Sequence, residues 1–164
     1  MRLVSSVLIA GVATALAASS ALGQRPDDQI LPRSEALLKQ GEEHLAAGRF
    51  VEADEALETA LAVDPRNRAA YNALAKVAQR EKLYGQSIRF TKKALALEPS
   101  DRDAIAIQGE AMVEMGALAR AKENLAKLQK LCPTGCAQLA ELNAAINRGP
   151  TVASAKPVVT PKSN

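Results

Sequence analysis

The chain has 164 residues, 21 basic and 18 acidic side chains and a formal net charge of +3. That near balance, with no basic run and no interleaved aromatic set, argues against nucleic-acid binding. The length suits one ordinary domain. An apolar fraction of 48% with 2% aromatics and no Trp suits helices packed through small side chains.

Residues 1–23 predict a secretory signal peptide. Arg2 gives a short positive start, Leu3 to Leu16 is uncharged and apolar, and small residues follow. Ala21-Leu22-Gly23 has the small-x-small form of a cleavage site, and Ala15-Leu16-Ala17 is a second candidate. The expected location is the periplasm or another exported compartment, with membrane contact only in transit. A retained membrane anchor is the alternative, since the stretch is long enough to span a bilayer. Residues 24–33, with Pro26 and Pro32, read as an extended leader.

From Ser34 the chain repeats itself. Pro65, Pro99 and Pro133 stand 34 residues apart, each closing a similar helical run, as in Ala-Leu-Ala-Val-Asp-Pro and Ala-Leu-Ala-Leu-Glu-Pro. A fixed period of that size marks a solenoid of one helical hairpin. The units are 34–67, 68–101 and 102–133. In the first, Leu37, Leu38, Gly41, Leu45 and Ala46 share one helical face, and Ala53, Ala56, Leu57, Ala60 and Leu61 another. In the second, the faces carry Tyr71, Leu74, Ala75 and Ala78, then Tyr84, Ser87, Ile88, Thr91, Ala94 and Leu95. In the third they carry Ile105, Gln108, Gly109 and Met112, then Ala121, Leu125 and Leu128. Ser34 and Asn67 are expected N-caps, and Ser100 with Asp103 reads as a capping box. Gly48, Gly85 and Gly116 read as turn glycines. Residues 134–148 predict a capping helix, with Leu139, Leu142 and Ile146 on one face, to cover the apolar end of the stack. Residues 149–164, rich in Pro, Val, Thr and Ser, read as a disordered tail.

The three units resemble the tetratricopeptide repeat. Counted from Ser34, Arg68 and Arg102, the eighth position is small (Gly41, Ala75, Gly109) and the seventeenth large (Phe50, Tyr84, Leu118). The twentieth is small again (Ala53, Ser87, Ala121). The resemblance implies an all-α, right-handed α-solenoid of three helix-turn-helix repeats with a C-terminal capping helix. Gln40, Gln108 and His44 depart from apolar positions of the family, which predicts looser packing there. The family's concave groove falls on Leu38, Glu42 and Leu45, then Asn72, Lys76, Gln79 and Arg80, then Ala106, Glu110 and Val113. A subset of the family clamps a peptide's terminal carboxylate with Lys and Asn side chains. Only Asn72 matches that set, and Glu42 and Glu110 would repel a carboxylate, so the clamp is not expected.

Cys132 and Cys136 are the only cysteines, spaced C-x3-C. In an exported chain they predict a disulfide pinning the capping helix to the repeats. A thiol redox or metal site is the alternative, although the spacing misses C-x-x-C and no second His or Cys cluster accompanies it. His44 is the sole histidine, without a nucleophile or acid pattern beside it. No catalytic motif is present, and neither cofactor nor metal is expected. The function predicted is a non-enzymatic scaffold that binds a segment of another protein in the concave groove. The alternatives are a thiol redox or metal-handling protein and a membrane-tethered scaffold.

Overall fold

The computed structural model describes residues 29–151. The expected signal peptide, most of the leader and all but the first residues of the tail lie outside them. The described chain forms α1 (Pro32–Ala46), α2 (Phe50–Val63), α3 (Arg68–Arg80), α4 (Tyr84–Leu97), α5 (Arg102–Glu114), α6 (Leu118–Leu131) and α7 (Ala137–Arg148). No strand occurs among the described residues. Helices pair as α1–α2, α3–α4 and α5–α6, and each pair packs on the next.

The curvature follows from which helices meet. Among the described residues the backbones of α1 and α3, of α3 and α5 and of α5 and α7 come close together, whereas α2 and α4, and α4 and α6, have no Cα atoms within 8 Å of each other. The first helix of each hairpin therefore lines the inside of the curve and the second lies outside. Burial deepens toward α5, which packs on α3, α4, α6 and α7 and buries nine residues from Ala104 to Val113. Among the described residues, helix α1 packs only on α2 and α3, and it buries only Ser34 and Gly41. Ala46, expected on its inner face, is exposed.

Small residues set the closest approaches. A Cβ on Gly41 would stand 2.6 Å from Leu57 Cδ2. One on Gly109 would stand 2.6 Å from Leu142 Cδ1, which belongs to α7. The eighth position thus serves the hairpin's own partner in the first unit and the capping helix in the third. Gln108, expected to loosen the packing, is buried and bonded instead. Its amide donates to Thr91 Oγ1 (3.3 Å) and its carbonyl accepts from Asn124 Nδ2 (3.1 Å), so α4, α5 and α6 share one polar bridge. Gln40 is exposed and does not bear on packing.

The caps differ from expectation. Helix α1 starts inside the supposed leader, at Pro32, because proline's missing amide costs nothing in the first turn. Ser34 is not its cap. The buried hydroxyl donates to the Ala60 carbonyl (2.7 Å) and accepts from Asn67 Nδ2 (2.8 Å), tying α1 to both ends of the α2–α3 turn. Asn67 caps α3 as expected, accepting from Ala70 N. For α5 the cap is Asp101, which accepts from Ala104 N (3.1 Å), while Ser100 turns to Glu98. Gly48 and Gly116 take positive φ in their turns, but Gly85 lies inside α4, and Lys82 occupies the left-handed position with φ 62°.

Candidate functional site

The inner faces of α3, α5 and α7 enclose a cleft of about 250 Å³. Lys76, Gln79 and Arg80 come from α3, and Asp103, Ala106, Ile107 and Glu110 from α5. Helix α7 adds Gln138 and Glu141, and α1 adds Leu45 at the edge. Lys76 and Arg80 are four residues apart, so they share one face of α3. Gln79 is fixed in the wall, where its amide donates to the Ile107 carbonyl (2.9 Å). Gln138 donates to Asp103 Oδ1 (2.7 Å), which holds the start of α7 against the start of α5.

Six of the ten predicted groove residues line this cleft: Leu45, Lys76, Gln79, Arg80, Ala106 and Glu110. Three of the ten are buried. Ala106 is 3% exposed and forms the cleft's floor. Asn72 is 7% exposed and its amide donates to Asp101 Oδ2 (2.9 Å), which serves the α5 cap, while its buried Oδ1 has no hydrogen-bond partner among the described residues. Val113 is fully buried with Met112, Ala121 and Ala145, because the capping helix lies over it. Glu42 is exposed on α1 away from the cleft-lining set. Leu38 lines a separate depression with Ile30, Glu35 and Arg68 at the starts of α1 and α3.

The sequence reading missed Asp103, Ile107, Gln138 and Glu141. A capping helix that takes the place of a fourth hairpin's first helix must extend the inner wall. The polar residues opposite Leu139 and Leu142 were the available signal.

The cleft's charges are uneven. Glu110 is half-buried, and its carboxyl is pushed above its ordinary value. Burial is the main cause and the neighbouring Glu141 carboxylate adds to it, while Gln79, Arg148 and Lys76 oppose the shift. Among the described residues, Lys76, Arg80, Glu110 and Glu141 form no ion pair within 4.0 Å.

Cys132 and Cys136 are joined, with a Cα–Cα distance of 5.9 Å, at the turn between α6 and α7. Arg148 pairs with Glu114 (3.7 Å), and Thr151 donates to the same carboxylate, so α7 is held at both ends. His44 is half-buried at the end of α1, and its Nδ1 accepts from Arg49 Nε (3.0 Å). Among the described residues, no three His, Cys, Asp or Glu side chains gather as metal ligands, and no helix is long and apolar enough to cross a membrane.

Three hairpins at a 34-residue period, with the first helices turned inward around a polar cleft, define an all-α helical-repeat fold of the tetratricopeptide kind. Solved structures bear this out. The first such domain of Spaghetti (RPAP3), bound to the HSP90 peptide SRMEEVD, shares 22% identity with a TM-score of 0.64, covering 71% of this chain and 92% of that one. The Sgt2 domain from Aspergillus fumigatus shares 19% at a TM-score of 0.66, covering 72% of this chain and 79% of that one. The TPR2B domain of yeast Sti1, in a complex with pHsp70, shares 16% at a TM-score of 0.65, covering 71% and 97%. At these identities the likeness is one of fold. No protein-family model matches the chain, and no curated protein does.

Proposed function

We propose that this chain is a non-enzymatic adaptor that binds a segment of another protein in the α3–α5–α7 cleft. The observation that carries the reading is the cleft itself: an inward-facing channel whose charged side chains are unpaired with one another. Exposed charges such as Lys76 and Arg80 on a concave wall are available to an incoming chain. The RPAP3 domain holds an HSP90 peptide, which supports a peptide as the ligand class. The ligand here is not a terminal carboxylate clamped in that family's manner. The Asn72 amide is committed to Asp101, Ala106 stands on the floor, and Glu110 adds an acidic group to the cleft.

The segment of residues 1–23 supports export to the periplasm or cell envelope as the setting, and a disulfide at Cys132 and Cys136 suits an oxidising compartment. A crosslinked pull-down from the native cell envelope tests the function. Wild type captures a protein that the Lys76→Glu, Arg80→Glu variant does not. Equal capture by both would remove the cleft as the binding site.

A further inference from the structure

The cleft sorts its charges by wall. Helix α3 presents Lys76 and Arg80, both exposed. Facing them, α5 presents Glu110 and α7 presents Glu141. Lys76 and Arg80 are about 6 Å apart along the helix axis, given a rise of about 1.5 Å per residue. An extended peptide sends successive side chains to opposite sides, and those on one side recur about every 6.6–6.8 Å. The two spacings match. A strand lying along α3 between the walls turns residues i and i+2 to one wall and i+1 and i+3 to the other. A helical ligand meets the same spacing with residues i and i+4, also about 6 Å apart, but it would carry its acids on one face and its bases on the opposite one, so strict residue-by-residue alternation of charge belongs to the extended ligand.

Building on the cleft as the partner site, we propose that it takes an extended segment in which acidic and basic residues alternate. Two acidic residues at i and i+2 meet Lys76 and Arg80. The basic residues beside them meet Glu110 and Glu141. A uniformly acidic segment is repelled by the glutamates and a uniformly basic one by Lys76 and Arg80.

Fluorescence anisotropy on the full chain tests this with two capped peptides of equal composition: (Glu-Lys)4, and a block of four Glu followed by four Lys. The alternating peptide binds about ten-fold tighter, the sum of several exposed ion pairs of modest strength. Lys76→Glu with Arg80→Glu makes both walls acidic and loses the alternating peptide in favour of oligolysine. Adding Glu110→Lys and Glu141→Lys then exchanges the walls. The alternating peptide binds again by sliding one residue, a rescue that a misfolded variant cannot give. Equal affinity for the two peptides, no binding of the alternating one, or no rescue by the exchanged walls would overturn the alternation. Such a result leaves the adaptor function standing wherever the pull-down still depends on Lys76 and Arg80. A pull-down indifferent to those residues removes both.

Discussion

Lys82 carries a conformation that its two counterparts assign to glycine. Gly48 and Gly116 stand one period to either side, both at positive φ, and Lys82 takes φ 62° in the same turn. An L-residue there costs about 1–2 kcal/mol. Glycine removes that cost and returns part of it through the greater freedom of its unfolded chain. Lys82→Gly should therefore stabilise the protein by about 0.5–1 kcal/mol, read as a higher urea midpoint at unchanged slope. Sequence alone pointed to Gly85 as the turn residue because it is the nearest glycine. The period would have named position 82. The same error explains Ser100: Asn67 plus one period is Asp101, the true cap.

Asp64 is a carboxylate held on several sides. It is buried and accepts from the Arg66 guanidinium, the Arg66 amide and the Leu31 amide, at 3.0–3.1 Å. Chiefly through Arg66, these bonds lower its pKa from 3.8 to about 2, against the opposing effect of burial. A depressed folded-state pKa means stability that is fully present above the unfolded value and is lost as pH falls toward the folded one. Wild type should lose stability between about pH 4 and pH 2 through this group. Asp64→Asn should be less stable at neutral pH and show a shallower loss across that window. Equal slopes for the two proteins would remove Asp64 from the acid response. None of this was legible from Asp-Pro in the sequence, which reads as a helix stop and says nothing of what the carboxylate meets.

At the scale of elements, the eighth position of each hairpin decides how closely helices stack. Its small residues were legible, but the neighbour was not. Gly109 faces Leu142 of the capping helix and not the partner helix of its own hairpin. Gly109→Ala forces a Cβ against a fully buried leucine, which costs about 1–3 kcal/mol. The better helix propensity of alanine returns up to about 1 kcal/mol. Gly85→Ala, with nothing within 4 Å, receives only the propensity gain, about 0.5–1 kcal/mol. Thermal melts should move in opposite directions for the two variants. A Gly109→Ala protein as stable as wild type would mean that α7 does not seat on α5 as described. The Gln108–Thr91–Asn124 bridge belongs to the same scale. Each residue alone looked like a departure from an apolar pattern, and only their meeting across three helices makes them a satisfied network.

For the whole molecule, the period of 34 and its marker residues were enough to place every hairpin, because each repeats the same packing problem. The cleft was less legible. Positions carried over from the family assume that no further helix covers α5, yet α7 buries Val113 and brings Glu141 and Gln138 into the wall. The result is a channel basic on one side and acidic on the other, formed by helices whose sequence order does not show that they face each other.

The proposed partner site lies on the inner wall and not on the outer one. Site-specific photo-crosslinking distinguishes the two walls, with a benzoyl-phenylalanine placed at position 76 or 80 on α3, or at the exposed positions 92 or 127 on α4 and α6. Crosslinks to one protein from positions 76 and 80, absent from 92 and 127, are the predicted result. Adducts of equal yield from both walls, or from the outer wall alone, would contradict it.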